Sequence, residues 1–229
     1  MSPLYKAFAQ GAGGGSATMP LPEVPEFDRV SPKGLEIMKH QSRFLEAVRD
    51  GHRRFLLADE PGLGKTAQSL LAASIAGAYP LLVVVPNVVK MNWAREVERW
   101  TPQRRATVIT GDGNDIDAFA DIFIVNYEIL DRHSGWLGEI GLEGIVVDEA
   151  HFIKNLSSQR SQNVLAVAAS IRARHARPLL MALTGTPLIN DIEDFRAIWQ
   201  LLGWIDGRQP NAELTDALYD TFPRRPPAP

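Results

Sequence analysis

The stretch LLADEPGLGKTAQSLLAA, from Leu56 to Ala73, joins a short apolar run to a glycine-containing loop and then to a helical pattern. A Gly-Lys-Thr sequence between a strand and a helix is the context that a phosphate-binding loop requires. Small residues there let backbone N–H groups close around phosphate oxygens at a helix N-terminus, where the helix dipole favours negative charge. The usual pattern, G-x-x-x-x-G-K-T, has glycine where this chain has Asp59. The stretch predicts a nucleotide-binding loop of a variant type, against the alternative of a glycine-rich turn that only caps a helix.

The side chains of this loop have separate predicted tasks. Lys65 would neutralise the β- and γ-phosphates of the nucleotide, and the Thr66 hydroxyl would bind magnesium. The residues predicted to contact the nucleotide here are Glu60, Gly62, Leu63, Gly64, Lys65, Thr66 and Ala67.

Short apolar runs alternate with helical patterns along the rest of the chain. The runs are FLLAD (55–59), LLVVVP (81–86), ATVIT (106–110), DIFIVN (121–126), GIVVDE (144–149) and PLLMALT (178–184). Runs that are apolar on both faces suit strands buried in a parallel sheet. The segments between them have apolar residues near i, i+3, i+4 and i+7, and Ser157 or Ser158 is placed to cap the last of these helices. We therefore predict an α/β fold with a largely parallel sheet and helices on both faces, whose ligands gather at the carboxyl ends of the strands.

Two adjacent carboxylates end one of the predicted strands. In GIVVDEAH, Asp148 and Glu149 follow a buried run. Magnesium needs a hard oxygen ligand near the phosphates, and hydrolysis needs a group that orients and deprotonates water. We expect Asp148 to face the metal and Glu149 to face the water, so that Lys65, Asp148 and Glu149 form the catalytic set. An acidic turn after a strand is the alternative, and the phosphate loop on the same sheet argues against it.

A Gly-Thr-Pro turn ends a further predicted strand. In LTGTPLIN, Thr184, Gly185 and Thr186 precede Pro187, which cannot continue a central strand. The turn has no chemistry of its own. Its place after the acidic strand predicts that it senses the γ-phosphate and couples that state to neighbouring loops.

Together these segments resemble a known family. ADEPGLGKT, DEAHFIKN and LTGTPLIN are similar to helicase motifs I, II and III of the Snf-type DNA-dependent ATPases in helicase superfamily two. That family has aspartate at the position of Asp59, and Pro61 departs from its usual methionine. The resemblance implies a RecA-like P-loop NTPase lobe that uses ATP and Mg²⁺. It also implies an adenine contact from Gln41, in MKHQSRFLEAV, and a coupling role for His151.

The resemblance covers about residues 33–205 and implies a domain plan. Residues 1–31 would be a flexible Gly/Pro-rich arm, residues 32–206 the first RecA-like lobe, and residues 207–229 a Pro-rich tail or linker. The family motor has a second RecA-like lobe whose arginines reach the γ-phosphate, and no segment of residues 205–229 resembles its motifs. The expected activity is therefore ATP hydrolysis that requires a second lobe.

Double-stranded DNA is the partner that the resemblance implies. The family motor translocates along duplex DNA by contacting its backbone, and the candidate contacts here are Lys90, Asn92, Lys154 and Asn155. A solvated surface is the alternative for each of them. Other functions left open are a DEAH-type unwinding helicase, a restriction-type translocase and a nucleotide-regulated binding module without turnover.

Composition sets outer limits on the function. The formal net charge is −3, so no global basic field indicates nucleic acid, although a local basic face remains compatible with it. The chain has no cysteine, which excludes disulfides and cysteine-ligated metals. No apolar run approaches the length of a membrane span, and the N-terminus lacks the apolar core of a signal peptide. We expect a soluble, cytoplasmic protein without membrane contact.

Overall fold

A computed structural model of the chain describes residues 37–58, 62–113, 115–185 and 193–205. The helices are α1 (Lys39–Arg49), α2 (Lys65–Ala76), α3 (Lys90–Trp100), α4 (Leu130–Leu137), α5 (Gln159–Arg174) and α6 (Glu193–Leu201). The strands are β1 (Arg54–Leu57), β2 (Leu81–Val85), β3 (Ala106–Val108), β4 (Ile122–Asn126), β5 (Gly144–Val147) and β6 (Leu179–Leu183). Short 3₁₀ helices lie at Asn87–Val89 and Ala150–Ile153.

The described strands form one six-stranded sheet in the order β1-β6-β5-β2-β4-β3, and every pairing is parallel. In the central strand β2, Val83 pairs with Ile124 on one side and with Val146 on the other. Because all the strands run in one direction, their carboxyl ends meet at a single edge. The segments that follow β1, β2, β4, β5 and β6 therefore start close to one another.

Each face of the sheet supports its own hydrophobic core. Leu81, Val83 and Val85 of β2 face the helices α1, α2 and α3. Leu82 and Val84 face the other side, where α4, α5 and α6 pack. The alternation follows from the two-residue period of a strand. Burying both faces explains why these strands are apolar without interruption.

The structure confirms the predicted fold class and all six predicted strands. It also selects Ser158 as the α5 cap, since the Ser158 hydroxyl accepts a hydrogen bond from the Ser161 N–H. Helix α4 was not predicted from its sequence pattern, because it has only eight residues and contains Gly135. Among the described residues, no helix is long and apolar enough to cross a membrane.

Candidate functional site

Two glycines shape the loop between β1 and α2. Gly62 has φ +88° and Gly64 has φ +73°, values that residues other than glycine rarely adopt. Helix α2 begins directly afterwards at Lys65 and has no acidic residue in its first turn. Its N-terminal N–H groups and dipole thus face the loop without a competing carboxylate from that turn. Asp59 and the predicted contact Glu60 lie outside the described residues.

Gln41 of α1 is hydrogen-bonded to the loop between β1 and α2. Its Nε2 donates to the Leu63 carbonyl at 2.9 Å, and its Oε1 accepts from the Met38 N–H at 2.8 Å. The side chain is buried. A Cβ added to Gly64 would lie 2.4 Å from this Nε2 atom, so a side chain at that position would displace the Gln41 amide. The residue predicted to contact adenine is thus also a structural support of the phosphate loop.

Asp148 lies at the carboxyl end of β5 with both carboxylate oxygens bonded. Trp93 Nε1 donates to Oδ2 at 2.8 Å, and the Glu149 N–H donates to Oδ1 at 2.9 Å. Burial raises the pKa of the Asp148 carboxyl above its ordinary value, and the neighbouring Glu149 charge raises it further. The Trp93 bond and the positive charge of Lys65 act in the opposite direction. The strand order has therefore brought the predicted Lys65 and Asp148 within electrostatic reach of each other.

Glu149 has an unusual backbone conformation. Among the described residues it is the one non-glycine with positive φ, at φ 50° and ψ 54°. Its Oε2 lies 3.2 Å from Nδ1 of His151, and roughly a third of each side chain is exposed. The left-handed conformation costs about 1–2 kcal/mol relative to the right-handed one. Strain of this kind is found preferentially at functional sites.

An aromatic cluster supports the segment after β5. The Tyr127 hydroxyl donates to the Asp148 carbonyl, and burial raises the pKa of that hydroxyl well above its ordinary value. The Phe152 ring stacks on His151 at 4.7 Å and contacts Tyr127 at 5.6 Å between centroids. The Arg160 guanidinium lies over both the Tyr127 and Phe152 rings. Helix α5 and the end of β4 thus fix the position of the acidic segment.

The predicted DNA contacts divide into two groups. Lys90 begins α3, and its Nζ donates to Asn126 Oδ1 at 2.8 Å and to the Ile109 carbonyl at 3.3 Å. Burial lowers the pKa of Lys90, and the Glu128 charge opposes that effect. Asn92, Lys154 and Asn155 are exposed. The Asn155 carboxamide oxygen accepts from the Ser157 N–H and hydroxyl, so it organises the turn before α5.

The predicted coupling turn is described only in part. Thr184 is buried and donates its N–H to the Leu57 carbonyl at 2.9 Å, which joins the end of β6 to the end of β1. Gly185 follows it, and Thr186 lies outside the described residues. Thr184 is therefore placed beside the strand that leads into the phosphate loop.

Sequence patterns did not reveal the supporting roles of Trp93, Tyr127 and Arg160. Trp93 is buried at 1% exposure in the core, and its indole N–H also donates to Asp148. The contacts of Trp93 and Tyr127 with Asp148, and of Arg160 with Tyr127, join residues 21 to 55 positions apart in the chain, and no local signal marks such pairs. Buried tryptophan and tyrosine side chains usually have a hydrogen-bond partner. This general rule is the one sequence signal that could have indicated a polar contact for Trp93 and Tyr127.

The donor set suits a magnesium ion shared with phosphates. Among the described residues, no three His, Cys, Asp or Glu side chains cluster as a complete metal cage. Mg²⁺ in nucleotide sites uses one or two protein oxygens together with phosphate and water. Thr66 in the first turn of α2 and Asp148 at the end of β5 supply oxygens of that type.

Comparison with known proteins places the chain in a family. A family model described as the SNF2-related domain matches residues 39–206. The chain belongs to this SNF2-related family. The match confirms the resemblance to Snf-type ATPases that the motifs indicated.

Two proteins that this chain resembles are much longer than it is. It is 35% identical over 66% of its length to the yeast (Saccharomyces cerevisiae) ISWI chromatin-remodeling complex ATPase ISW1 and covers 14% of that protein. It is 31% identical over 82% of its length to a Xenopus tropicalis SWI/SNF-related regulator of chromatin, subfamily A-like protein 1, of which it covers 20%. The chain therefore spans about a seventh to a fifth of these two relatives.

Solved structures agree with the family assignment. The Sulfolobus solfataricus SWI2/SNF2 ATPase core in complex with dsDNA matches with a TM-score of 0.62 and 26% identity, over 81% of this chain and 38% of that one. The core domain from the same organism, in a separate structure, matches with a TM-score of 0.59 and 28% identity, over 73% of this chain and 35% of that one. The observed fold is thus the RecA-like lobe of an SNF2-type ATPase core.

Proposed function

We propose that residues 32–206 form the ATP-binding first lobe of an ATP-dependent double-stranded DNA translocase, flanked by an arm (1–31) and a tail (207–229). The observation that carries the proposal is the arrangement at the carboxyl edge of the parallel sheet. There α2 begins at Lys65 after two glycines with positive φ, and Asp148 follows the end of β5. A cation, a buried carboxylate and a set of backbone N–H groups are the components that bind a nucleoside triphosphate with its metal.

In this proposal the residues of the site recognise different parts of ATP and its metal. Lys65 meets the β- and γ-phosphates, and the N–H groups of residues 62–67 surround the phosphate oxygens. Thr66 and Asp148 would hold Mg²⁺, which would shield phosphate charge. Gln41 contacts the adenine edge while it supports the Leu63 carbonyl. The Trp93 bond keeps Asp148 oriented for this task.

Glu149 is proposed as the group that orients and deprotonates the attacking water. Its side chain is partly exposed, whereas Asp148 beside it is largely buried. The two adjacent carboxylates also have different partners, since Asp148 bonds Trp93 and Glu149 contacts His151, so that they can serve two tasks. His151 contacts the Glu149 carboxylate, which supports its proposed part in coupling hydrolysis to the rest of the protein.

Turnover on DNA requires more than this lobe. A second RecA-like lobe would supply arginines that reach the γ-phosphate, and the Thr184–Thr186 turn would sense that phosphate. Lys90, Asn92, Lys154 and Asn155 are proposed to lie along the DNA backbone. The family match favours the SNF2-type motor over three alternatives: the unwinding helicase, the restriction translocase and the binding module without turnover. No specific observation supports any of these three.

Calorimetric titration with ATP and Mg²⁺ tests the nucleotide site. Lys65→Ala is expected to weaken binding strongly, because it removes the charge that meets the phosphates. Glu149→Gln is expected to bind normally, since it keeps the shape and loses only the base. Lys154→Ala, an exposed lysine outside the loop, is the matched control. Equal ATP affinity in the wild type and Lys65→Ala would contradict the proposal.

A further inference from the structure

A group of arginines lies at the sheet edge opposite the nucleotide loop. The segments RDGHRR (49–54) and RARHAR (172–177) precede β1 and β6, which are parallel neighbours with Arg54 paired to Leu180. The amino ends of the two strands therefore bring both segments to one edge. Together they contain six arginines, two histidines, one aspartate and no lysine.

Four of these guanidinium groups are fixed by backbone carbonyls. We call Arg53, Arg54, Arg172 and Arg177 the arginine cluster. Arg53 Nη1 donates to the Val48 and His52 carbonyls at 2.6 and 2.9 Å, and Arg177 Nη2 donates to the Gly51 carbonyl at 2.7 Å. This first pair surrounds the turn that ends α1.

The second pair surrounds the end of α6. Arg54 Nη1 donates to the Gly203 carbonyl at 2.9 Å, and Arg172 Nη1 donates to the Gln200 carbonyl at 2.6 Å. A Cβ added to Gly203 would lie within 3.5 Å of Nη1 atoms from both arginines, so the two guanidinium groups are neighbours.

The charges of the first pair are not balanced by a described carboxylate. No ion pair to Arg53 or Arg177 is formed among the residues that the structure describes. Burial lowers the pKa of Arg53, and the only charge that adds to this effect is the like charge of Arg177. Asp50 and Glu143 are exposed near this edge, and Arg49 is paired with Glu46.

Such an arrangement is suited to phosphate. A guanidinium has five N–H donors. In Arg53 and Arg177 the carbonyl bonds use one nitrogen each, which leaves further donors for an anion. The carbonyl bonds also restrict the side chains, so less conformational entropy is lost when an anion binds. An arginine that bonds the last carbonyls of a helix can serve only to cap that helix. One arginine at each of α1 and α6 would suffice for capping, but each of these helix ends has two.

We propose that the arginine cluster is a second binding site of this lobe, for the phosphate backbone of double-stranded DNA, at the sheet edge opposite the ATP loop. This site deepens the proposed function, on which it rests, because that function brings duplex DNA to the same lobe. It contacts phosphates alone and so adds affinity without sequence preference. The local basic edge also explains how a chain of net charge −3 can hold a polyanion.

The test is the affinity of the chain for a short labelled duplex, measured by fluorescence anisotropy over a range of salt concentrations. Arg53→Gln/Arg177→Gln keeps hydrogen-bond donors but loses both charges. It is expected to weaken binding about tenfold at low salt and to reduce the salt slope by one to two units, since each phosphate contact contributes about 0.9. The matched control is Arg99→Gln/Arg105→Gln, which removes two exposed arginines elsewhere. Equal weakening in both doubles, or none in the first, would overturn the proposal.

Two further measurements separate the alternatives. If the double variant fails to fold, the single variant Arg177→Gln is used instead, because Arg177 is an exposed member of the cluster. The expected loss is about threefold, with a slope reduced by up to one unit, and an unchanged affinity would count against the site. A polyglutamate peptide that binds as tightly as DNA, with the same loss in the double variant, would assign the cluster to acidic peptides and overturn the DNA proposal.

ATP·Mg titration of the same variants distinguishes this proposal from the proposed function. The arginine variants are expected to bind ATP like the wild type, and Lys65→Ala is expected to retain the DNA affinity. Failure of the wild type to bind ATP would refute the nucleotide proposal, whereas loss of DNA binding confined to the cluster variants would still support the second site.

Discussion

Asp148 is oriented by hydrogen bonds that do not depend on a metal. Trp93 Nε1 and the Glu149 N–H each bond one of its oxygens, while burial raises its pKa. A hydrogen bond from an outer side chain that orients a metal ligand typically contributes 10–100-fold to metal affinity. Trp93 is therefore expected to matter for ATP·Mg binding although it does not contact the nucleotide in our proposal.

Trp93→Phe is expected to weaken ATP·Mg binding about tenfold, because Asp148 loses its orienting donor. The variant also loses a bond to a charged group, which contributes about 1.5–3 kcal/mol to stability. Trp100→Phe is the control, since Trp100 is on the same helix but donates to Glu96. Titration calorimetry on both variants measures the difference. Equal ATP affinities for the two would show that Trp93 is only a packing residue.

Glu149 allows a separate test of backbone strain. Glu149→Ala and Glu149→Gly both lose the contact with His151, but only glycine relieves the left-handed conformation. We expect the glycine variant to be more stable than the alanine variant by about 1 kcal/mol in urea unfolding. Without strain, the larger backbone entropy of unfolded glycine would favour alanine. A glycine variant less stable than the alanine variant would therefore mean that the positive φ of Glu149 carries no strain.

The sequence identified these carboxylates but not the residues that hold them. Asp148 and Glu149 are adjacent in the chain and end an apolar run, so a local pattern was sufficient to find them. Trp93 and Tyr127 reach Asp148 from other strands and helices, and only the strand order brings them there. Long-range contacts of this kind leave no periodic signal in the sequence.

At the scale of elements, helix α1 supports the loop that precedes α2 through the Gln41 bond to the Leu63 carbonyl. Gly64→Ala is expected to strain the loop and to displace Gln41, because the new Cβ would lie 2.4 Å from its Nε2 atom. Gly77→Ala, at the other end of α2, is the matched control. Gly77 has φ +63°, and no atom lies within 4 Å of an added Cβ.

Both alanine variants are expected to lose about 1–2 kcal/mol of stability from the left-handed backbone, as measured by denaturant unfolding. Only Gly64→Ala is expected to weaken ATP binding, measured by calorimetry. A similar ATP affinity in the two variants would show that the contact between Gln41 and the loop does not affect the nucleotide site.

Elements that are buried on both faces were the easiest to predict from the sequence. The strands were recognised because both faces are covered, which removes polar residues from the runs. Helix α4 was missed because two turns with an internal glycine give too short a pattern. The arginine cluster was also missed, since it joins two segments more than a hundred residues apart whose proximity depends on the pairing of β1 with β6.

At the scale of the whole molecule, this lobe is expected to bind ATP far better than it hydrolyses it. An arginine that meets the transition-state charge contributes about 10³–10⁵ to the rate in phosphoryl-transfer sites. The resemblance assigns that arginine to a second lobe, which is not added in an assay of residues 1–229 alone. We therefore expect steady-state hydrolysis by this polypeptide to be slower than that of a two-lobed motor by about three decades, with little stimulation by duplex DNA. A DNA-stimulated turnover of several per second would contradict this expectation.

The most direct test of the central claim is a crystal structure of Glu149→Gln with Mg²⁺ and ATP, since this variant should retain the nucleotide. We predict that the β- and γ-phosphates lie within hydrogen-bond distance of Lys65 Nζ and of the N–H groups that begin α2. We also predict that the metal lies between the Thr66 hydroxyl and the Asp148 carboxylate. A nucleotide bound elsewhere on the lobe, or phosphates that do not contact Lys65, would contradict the account.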